Sequence, residues 1–428
     1  MIKPVWKHAL TTCIVLFSIG ILYGQEKQDP PEVLCRQKDA KDVISNFFSS
    51  KTHQDTSANG QTHSNFSTLP SAGYNPSVGL ALGVTSTGGH TFGDLKTTTF
   101  SVVNANAYVT TKRLATFEIK NNIFTNNDTY NLQGGIQVGK TVALDYGVGT
   151  GHMAQGDGSF SFNDLPLDNN PDVFSIKFNY LKITERIYRK LFEHIYAGAG
   201  VIFDSYSNID DERKLGPHLN SHNFRYSRMN NFPTSGYSAN GLLFNMEYNS
   251  RDHLNQPHSG LYADVVLRLN EQWMGSEHQS AQLKTELRKY WNLSATNSEH
   301  LIAFWYWGCY LLNGRLPYLE LPGTGSDAAN RIGRGYTIGR FKGPSFVYTE
   351  AEYRFPLCSS KLFGGVLFAN AETANNKHGV TVGQYIEPGA GVGLRILFNK
   401  YSRSNLCIDY GMGNYGSKGI FLGLNEVF

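Results

Sequence analysis

Long stretches of alternating apolar and polar residues run from about residue 76 almost to the end of the chain. In segment 114–123, Phe117 and Ile119 fall on one face, whereas Glu118 and Lys120 fall on the other. This period of two is typical of a β-strand with one apolar and one polar face. The segments run for about 10 to 16 residues, whereas strands of globular proteins usually have about 5 or 6. The pattern therefore predicts an all-β protein built from unusually long strands.

A soluble β-sandwich would also alternate, but the composition favours a membrane barrel. Charged residues occupy the middle of the polar faces, as they would in a wet interior, and the chain finishes on the strand-like segment 420–428 with a terminal aromatic. Charged residues are only 17% and aromatics 13% of the chain, which together with the alternation is the pattern of an outer-membrane barrel. The 38 Lys and Arg against 35 Asp and Glu give no basic excess, so no nucleic-acid partner is predicted.

Counting the alternating segments predicts a sixteen-stranded antiparallel transmembrane β-barrel, an even number as bacterial barrels require. The predicted strands are 77–87, 98–110, 113–124, 128–140, 142–148, 172–188, 193–206, 236–249, 258–270, 276–291, 299–313, 345–357, 361–371, 386–398, 404–411 and 419–428. With this count, the long connections 149–171, 207–235 and 314–344 all lie outside the cell. The short turns at Thr110–Arg113 and Asn399–Arg403 lie in the periplasm.

The residues before the barrel predict a targeting segment and a short arm. Lys3 and Lys7 precede an apolar run from Thr12 to Leu22, which predicts a signal peptide over 1–24. Residues 25–75 are predicted to form a periplasmic arm or linker, with a short helix over 39–49, and residues 76–428 form the barrel. The spacing of the cysteines matches no zinc motif.

One loop and its following strand carry a family resemblance. The loop contains Arg334-Gly335-Tyr336, and the next strand continues as Glu352-Tyr353-Arg354-Phe355-Pro356. Here the sequence resembles the BamA/TamA outer-membrane assembly-factor superfamily, also called the bacterial surface antigen family. Segments 69–79, 250–260, 391–395 and 409–413 are similar to that family's entry to the first strand, its central periplasmic turn and its last strands.

The resemblance implies that this long sixth extracellular loop folds back into the lumen. The loop-six latch would be Arg334, Gly335 and Tyr336, with the guanidinium of Arg334 paired to acids on the wall. Alternation puts Glu350, Glu352 and Arg354 on one face of the predicted twelfth strand, and Asn370 and Glu372 on one face of the thirteenth. The predicted lumen-wall partners are Glu350, Glu352, Asn370 and Glu372. The family usually has Asp where Asn370 stands, and Glu372 would compensate.

The function implied is assistance to insertion or translocation of proteins or lipids through a lateral seam between the first and last strands. The predicted seam residues are Gly79, Gly83, Leu424 and Phe428. The family's periplasmic polypeptide-binding domains have no counterpart in this sequence, so the resemblance is to short members that need partner proteins. A passive channel and a structural scaffold of an outer-membrane complex remain alternatives. The expected partners are outer-membrane lipid and either other envelope proteins or a second copy of the chain.

No pattern of catalytic or ligand-binding residues emerges from the sequence. A Gly-x-Ser-x-Gly elbow and an HExxH zinc motif are both absent from the sequence. A disulfide bridge between Cys35 and Cys358 is an open alternative. The sequence therefore predicts a non-enzymatic protein with no catalytic residue, cofactor or metal.

Overall fold

The computed structural model describes most of the chain from residue 64 onward. The described residues are 64–75, 79–94, 97–112, 114–151, 174–211, 221–253, 256–294, 298–327, 330–376, 379–399, 403–424 and 426–428. The predicted signal peptide, the predicted helix over 39–49 and Cys35 lie outside these ranges. Cys358, the proposed partner of Cys35, is a free thiol.

The described chain folds into one antiparallel sheet whose strands follow each other in chain order. The strands are β1 (Ser64–Asn75), β2 (Gly79–His90), β3 (Ser101–Thr110), β4 (Ala115–Phe124), β5 (Tyr130–Asp145), β6 (Phe174–Phe192), β7 (Ile195–Asp211), β8 (Tyr237–Asn249), β9 (Gly260–Asn270), β10 (Ser280–Asn292), β11 (Leu301–Gly314), β12 (Phe346–Pro356), β13 (Phe363–Ala374), β14 (Glu387–Asn399), β15 (Ser404–Gly413) and β16 (Lys418–Leu424). The predicted all-β antiparallel class is confirmed. A short helix, α1 (His222–Asn230), precedes β8.

Two predicted strand assignments are wrong at the start of the sheet. The segments predicted as separate strands, 128–140 and 142–148, fall in the single strand β5, which pairs without a break with β6. Conversely, β1 lies within the segment predicted as a linker and pairs with β2 over its whole length. The strand predicted to be first is therefore the second, so the predicted set of sixteen strands is not the observed one.

The edge strands of the sheet are β1 and β16. Within the described residues, β1 pairs only with β2 and β16 only with β15. The closure of the sheet between β1 and β16 therefore stays a prediction.

The connections between strands lie at two opposite ends of the sheet. The three longest, between β5 and β6, β7 and β8, and β11 and β12, leave from the same end, as predicted. The turn at Asn399–Arg403 lies at the opposite end, also as predicted. The turn at Thr110–Arg113 lies at the same end as the long loops, so its predicted periplasmic position is wrong. The cause is the miscounted strands around it.

The two faces of the sheet differ as the alternation predicts. On β8, Phe244 and Met246 are exposed, whereas Asn245 and Glu247 between them are buried. On β9, Val265 is exposed and Asp264 is buried. An apolar exposed face with a polar buried face suits a sheet that meets lipid outside. We call the buried side the polar face.

Aromatic clusters fill two regions of the polar face. One gathers Trp305, Tyr348, Tyr336 and Phe341, and the other gathers Tyr206, Tyr237 and Tyr318. Both clusters include residues from the connection between β11 and β12, so this loop packs against the sheet. Of the helices described, none has the length and apolar character to cross a membrane.

Candidate functional site

The loop of residues 315–345, between β11 and β12, places Arg334 among three carboxylates on the polar face. This connection is loop six. The guanidinium of Arg334 donates to Glu350 through Nε at 3.2 Å and through Nη2 at 2.6 Å. Nη2 also donates to Glu352, and Nη1 donates to Asp409 at 2.7 Å. The side chain is 2% exposed, so these are buried ion pairs. The fork of a guanidinium suits such multiple contacts, which an ammonium could not reproduce.

Strand geometry explains why these acids converge. Glu350 and Glu352 are two residues apart on β12, so both side chains point to the polar face. Asp409 comes from β15, three strands further along the sheet. A Cβ on Gly411 would lie 2.7 Å from the amide nitrogen of Gly335. The missing side chain on β15 therefore gives the loop room to reach these strands.

Gly335 and Tyr336 fix the backbone beside the guanidinium. Gly335 has a φ of +111°, and a Cβ at this position would lie 2.8 Å from the carbonyl oxygen of Met412. Glycine is the residue that tolerates both conditions. The hydroxyl of Tyr336 donates to the carbonyl of Pro388 at 2.5 Å and accepts from the amide of Asn414 at 2.8 Å. The triplet thus contacts β12, β14 and β15 together.

The two other predicted wall partners take different roles. Asn370 on β13 donates through Nδ2 to the backbone carbonyl of Arg334 at 2.9 Å. Glu372 accepts from the hydroxyl of Thr324, also in loop six, at 3.0 Å. Arg334 pairs with Glu350, Glu352 and Asp409, so the third carboxylate comes from Asp409 rather than Glu372.

The surroundings favour a charged Arg334. Burial acts against the charged form, but the carboxylates of Glu350, Glu352 and Asp409 outweigh it and raise the pKa of Arg334 well above its ordinary value. The guanidinium also lies 3.8 Å from the ring centroid of Phe368. Such contacts further stabilise a desolvated cation.

A second group of ion pairs continues from this site toward the end of the chain. Arg395 on β14 donates to Asp409 at 2.5 Å and to Glu426 at 2.8 Å. Arg354 on β12 donates to Glu352 at 2.7 Å. Asp409, Arg395 and Glu426 are partners that were not predicted from the sequence. Asp409 had a usable signal, because alternation puts it on the polar face of β15.

The predicted seam residues do not lie together. Gly79 and Gly83 are on β2, where they pair with Asn75 and Ser71 of β1. Their predicted position on the first strand is wrong, because β1 precedes them. Leu424 ends β16 and pairs with Leu406.

Phe428 lies on the polar face rather than at an edge of the sheet. It is 3% exposed. Its ring stacks on Trp305 with centroids 5.3 Å apart, and its carbonyl accepts from Arg354 at 3.0 Å. Residues 426–428 therefore lie on the inward side, toward β11 and β12.

The antiparallel sheet has long strands, an apolar exposed face and a polar face to which an arginine holds a loop. These features are typical of an outer-membrane β-barrel protein. Residues 205–413 match the Omp85 superfamily domain. This match confirms the predicted resemblance to the BamA/TamA superfamily. Its location is the bacterial outer membrane, as predicted.

Solved structures show the same fold. BamA from Haemophilus ducreyi lacking POTRA domains 1–3 matches with a TM-score of 0.53 and 16% identity, over 85% of this chain and 69% of that one. CdiB from Acinetobacter baumannii matches with a TM-score of 0.52 and 11% identity, over 85% of this chain and 60% of that one. CdiB from Escherichia coli matches with a TM-score of 0.52 and 9% identity, over 86% and 63%. No curated protein sequence matches the chain.

Proposed function

We propose that this protein is an outer-membrane barrel that assists the insertion or translocation of proteins or lipids. Loop six fills the interior in the resting state, and substrates enter or leave through a lateral seam between β1 and β16. The family match and the BamA and CdiB folds support the general role in insertion or translocation. Partner proteins of the envelope supply substrate capture, as the sequence analysis expects.

The buried Arg334 carries the proposal. A buried arginine shared by Glu350, Glu352 and Asp409 is costly to desolvate, and it repays that cost only where its geometry is satisfied. A buried ion pair is weak evidence for net stability, and in some proteins it instead fixes one arrangement of the chain. We therefore assign Arg334 the role of a latch that selects the inward position of loop six.

The arrangement of the outer strands supports a seam at β1 and β16. β16 has 7 residues and β1 has 12. A short last strand offers fewer backbone hydrogen bonds to a neighbour than a long one does. Each backbone pair that is not made inside a bilayer costs free energy. The β1–β16 junction is therefore where the barrel opens most easily.

Liposome insertion of a test outer-membrane barrel is the direct experiment. Wild-type protein in the liposomes should accelerate insertion relative to empty liposomes. In a background without the native cysteines, disulfides between β1 and β16 should abolish the acceleration. A disulfide between positions 408 and 422, which face each other across β15 and β16, should leave it intact. Equal insertion with and without the protein would contradict the proposal.

Conductance in planar bilayers separates this function from a passive channel. The wild type should be closed or flicker briefly, because loop six occupies the interior. Arg334→Ala should be open or unstable. Large, steady and equal conductance in both proteins would identify a plain pore and overturn the latch.

A further inference from the structure

A second buried ion-pair cluster holds the opposite limb of loop six. It lies near the start of the loop, in the turn Tyr318–Glu320. Arg268 on β9 donates to Glu320 at 2.9 Å and also pairs with Asp204 on β7 at 3.0 Å. The ammonium of Lys182 on β6 lies 3.6 Å from Glu320. The side chains of Glu320 and Asp204 are 6% and 4% exposed.

Hydrogen bonds of three tyrosine hydroxyls hold the same turn in place. Tyr206 on β7 donates its hydroxyl to Glu320, and the hydroxyl of Tyr237 on β8 accepts from the amide of Leu319 at 3.0 Å. Tyr318 donates to Asp145 at the end of β5. The turn is therefore bonded to four strands, β5 to β8, in addition to β9.

The electrostatics match a docked carboxylate. Burial disfavours the ionised form of Glu320, but Lys182 and Arg268 outweigh it and lower the pKa of this carboxyl group. Two cations and two carboxylates thus balance in the cluster. Without Glu320, Lys182 and Arg268 would face Asp204 alone, and a buried charge that loses its partner is strongly unfavourable.

We infer that Glu320 is a second positioning residue of loop six, and that the loop is a strut anchored at both ends. One anchor joins Glu320 to Lys182 on β6, Tyr206 on β7 and Arg268 on β9. The other joins Arg334 to β12 and β15. Any motion that separates these two groups of strands must break at least one anchor. The inference rests on the proposed role of loop six and specifies how that role is controlled.

The two anchors predict different effects for the two single substitutions. Loss of Arg334 frees the second limb of the loop but leaves the first limb held by Glu320. Loss of Glu320 does the reverse. Full release of loop six requires both changes, so the two substitutions should act on separate parts of the loop and combine in the double variant.

Limited trypsin digestion of the folded protein in detergent tests this. Loop six has a trypsin site after Arg315, near Glu320, and further sites after Arg331, Arg334, Arg340 and Lys342. The site after Arg334 is lost in Arg334→Ala, so only the other sites are compared between variants. Glu320→Gln should raise cleavage after Arg315 by on the order of tenfold or more, since proteolysis follows the population of the opened segment. Sites near Arg334 should change little. Arg334→Ala should show the opposite pattern, and the double variant should be cut rapidly at both.

Glu286→Gln is the matched control. Glu286 on β10 is as buried as Glu320, at 7% exposed, and also faces one Arg and one Lys, Arg288 and Lys284. Its partners are strand residues, so its loss should leave both loop sites protected. Glu320→Asp keeps the charge and should restore most of the protection.

Two results would overturn the second anchor. One is cleavage after Arg315 at the wild-type rate in Glu320→Gln. The other is a uniform rise at all sites, matched by Glu286→Gln, which would mean general loosening of the barrel. Digestion does not depend on insertion activity, so the anchor can fail while the proposed function stands, and the reverse.

Discussion

Replacing Arg334 is the perturbation that most directly tests the latch. Its guanidinium donates four hydrogen bonds to Glu350, Glu352 and Asp409. Arg334→Ala would leave these three carboxylates in a buried site. Removing one partner of a buried ion pair typically costs about 3–5 kcal/mol. We expect a loss in that range in the free energy that holds loop six to the sheet.

The remaining partners keep the loss from being larger. Arg354 still bonds Glu352, and Arg395 still bonds Asp409. Glu350 is the acid with the least compensation, because its other contacts come from Tyr348 and Asn370. Arg334→Ala combined with Glu350→Gln should therefore recover part of the loss, by about 1–2 kcal/mol. Arg334→Lys keeps the charge but loses the fork, and should fall between wild type and Arg334→Ala.

Urea unfolding of the protein in detergent, followed by the shift of the folded band on unheated gels, measures these differences. Arg288→Ala is the control. Arg288 lies on the same polar face but bonds a single carboxylate, Glu286. It should cost less than Arg334→Ala. An Arg334→Ala variant that unfolds within about 0.5 kcal/mol of wild type would contradict the latch, and so would a greater loss of stability when Glu350→Gln is added.

Three further predictions concern the same loop and the turn between β8 and β9. Gly335→Ala should destabilise loop six by about 1–3 kcal/mol, because φ is +111° and the new Cβ would crowd Met412; urea midpoints measure it. Tyr336→Phe removes two hydrogen bonds and should cost about 1–2 kcal/mol in the same assay. Burial lowers the pKa of His258 to about 3, so the folded state binds its proton less readily than the unfolded state, whose His titrates near 6.5. The contribution of His258 to the free energy of unfolding should be fully present above about pH 6.5 and should be lost as the pH falls toward 3. His258→Gln should flatten this fall in urea titrations between pH 7 and 4.

Alternation and family resemblance together predicted the centre of the candidate site. The spacing of Glu350 and Glu352 puts both on one face of a strand, whatever the rest of the sheet does. Arg334 was predicted from the resemblance, since nothing about a loop arginine alone distinguishes it from a solvated one. Asp409 was not predicted as a partner because its approach depends on sheet order and on the small residue Gly411. Neither is visible in a local pattern.

The errors at the start of the sheet have physical causes. β5 was divided at residue 141, just after Gly139 and Lys140, but in the structure Gly139 sits against the neighbouring strand. A Cβ on Gly139 would lie 2.6 Å from the carbonyl of Ala115. β1 was missed because it is rich in Ser and Thr and carries Pro70. Proline is tolerated in a strand only at a sheet edge, and β1 does pair with a single neighbour.

Loop six and the end of the chain share one chain of charges, and this bears on how a seam could work. Arg334 bonds Asp409, Asp409 bonds Arg395, and Arg395 bonds Glu426, two residues after β16. If β16 moves away from its present position, Glu426 must leave Arg395. Arg395 then has Asp409 as its main partner and competes with Arg334 for this carboxylate. In the proposed mechanism, opening of the seam and release of the latch would therefore favour each other. Such coupling would let a substrate that engages β16 act on loop six without touching it.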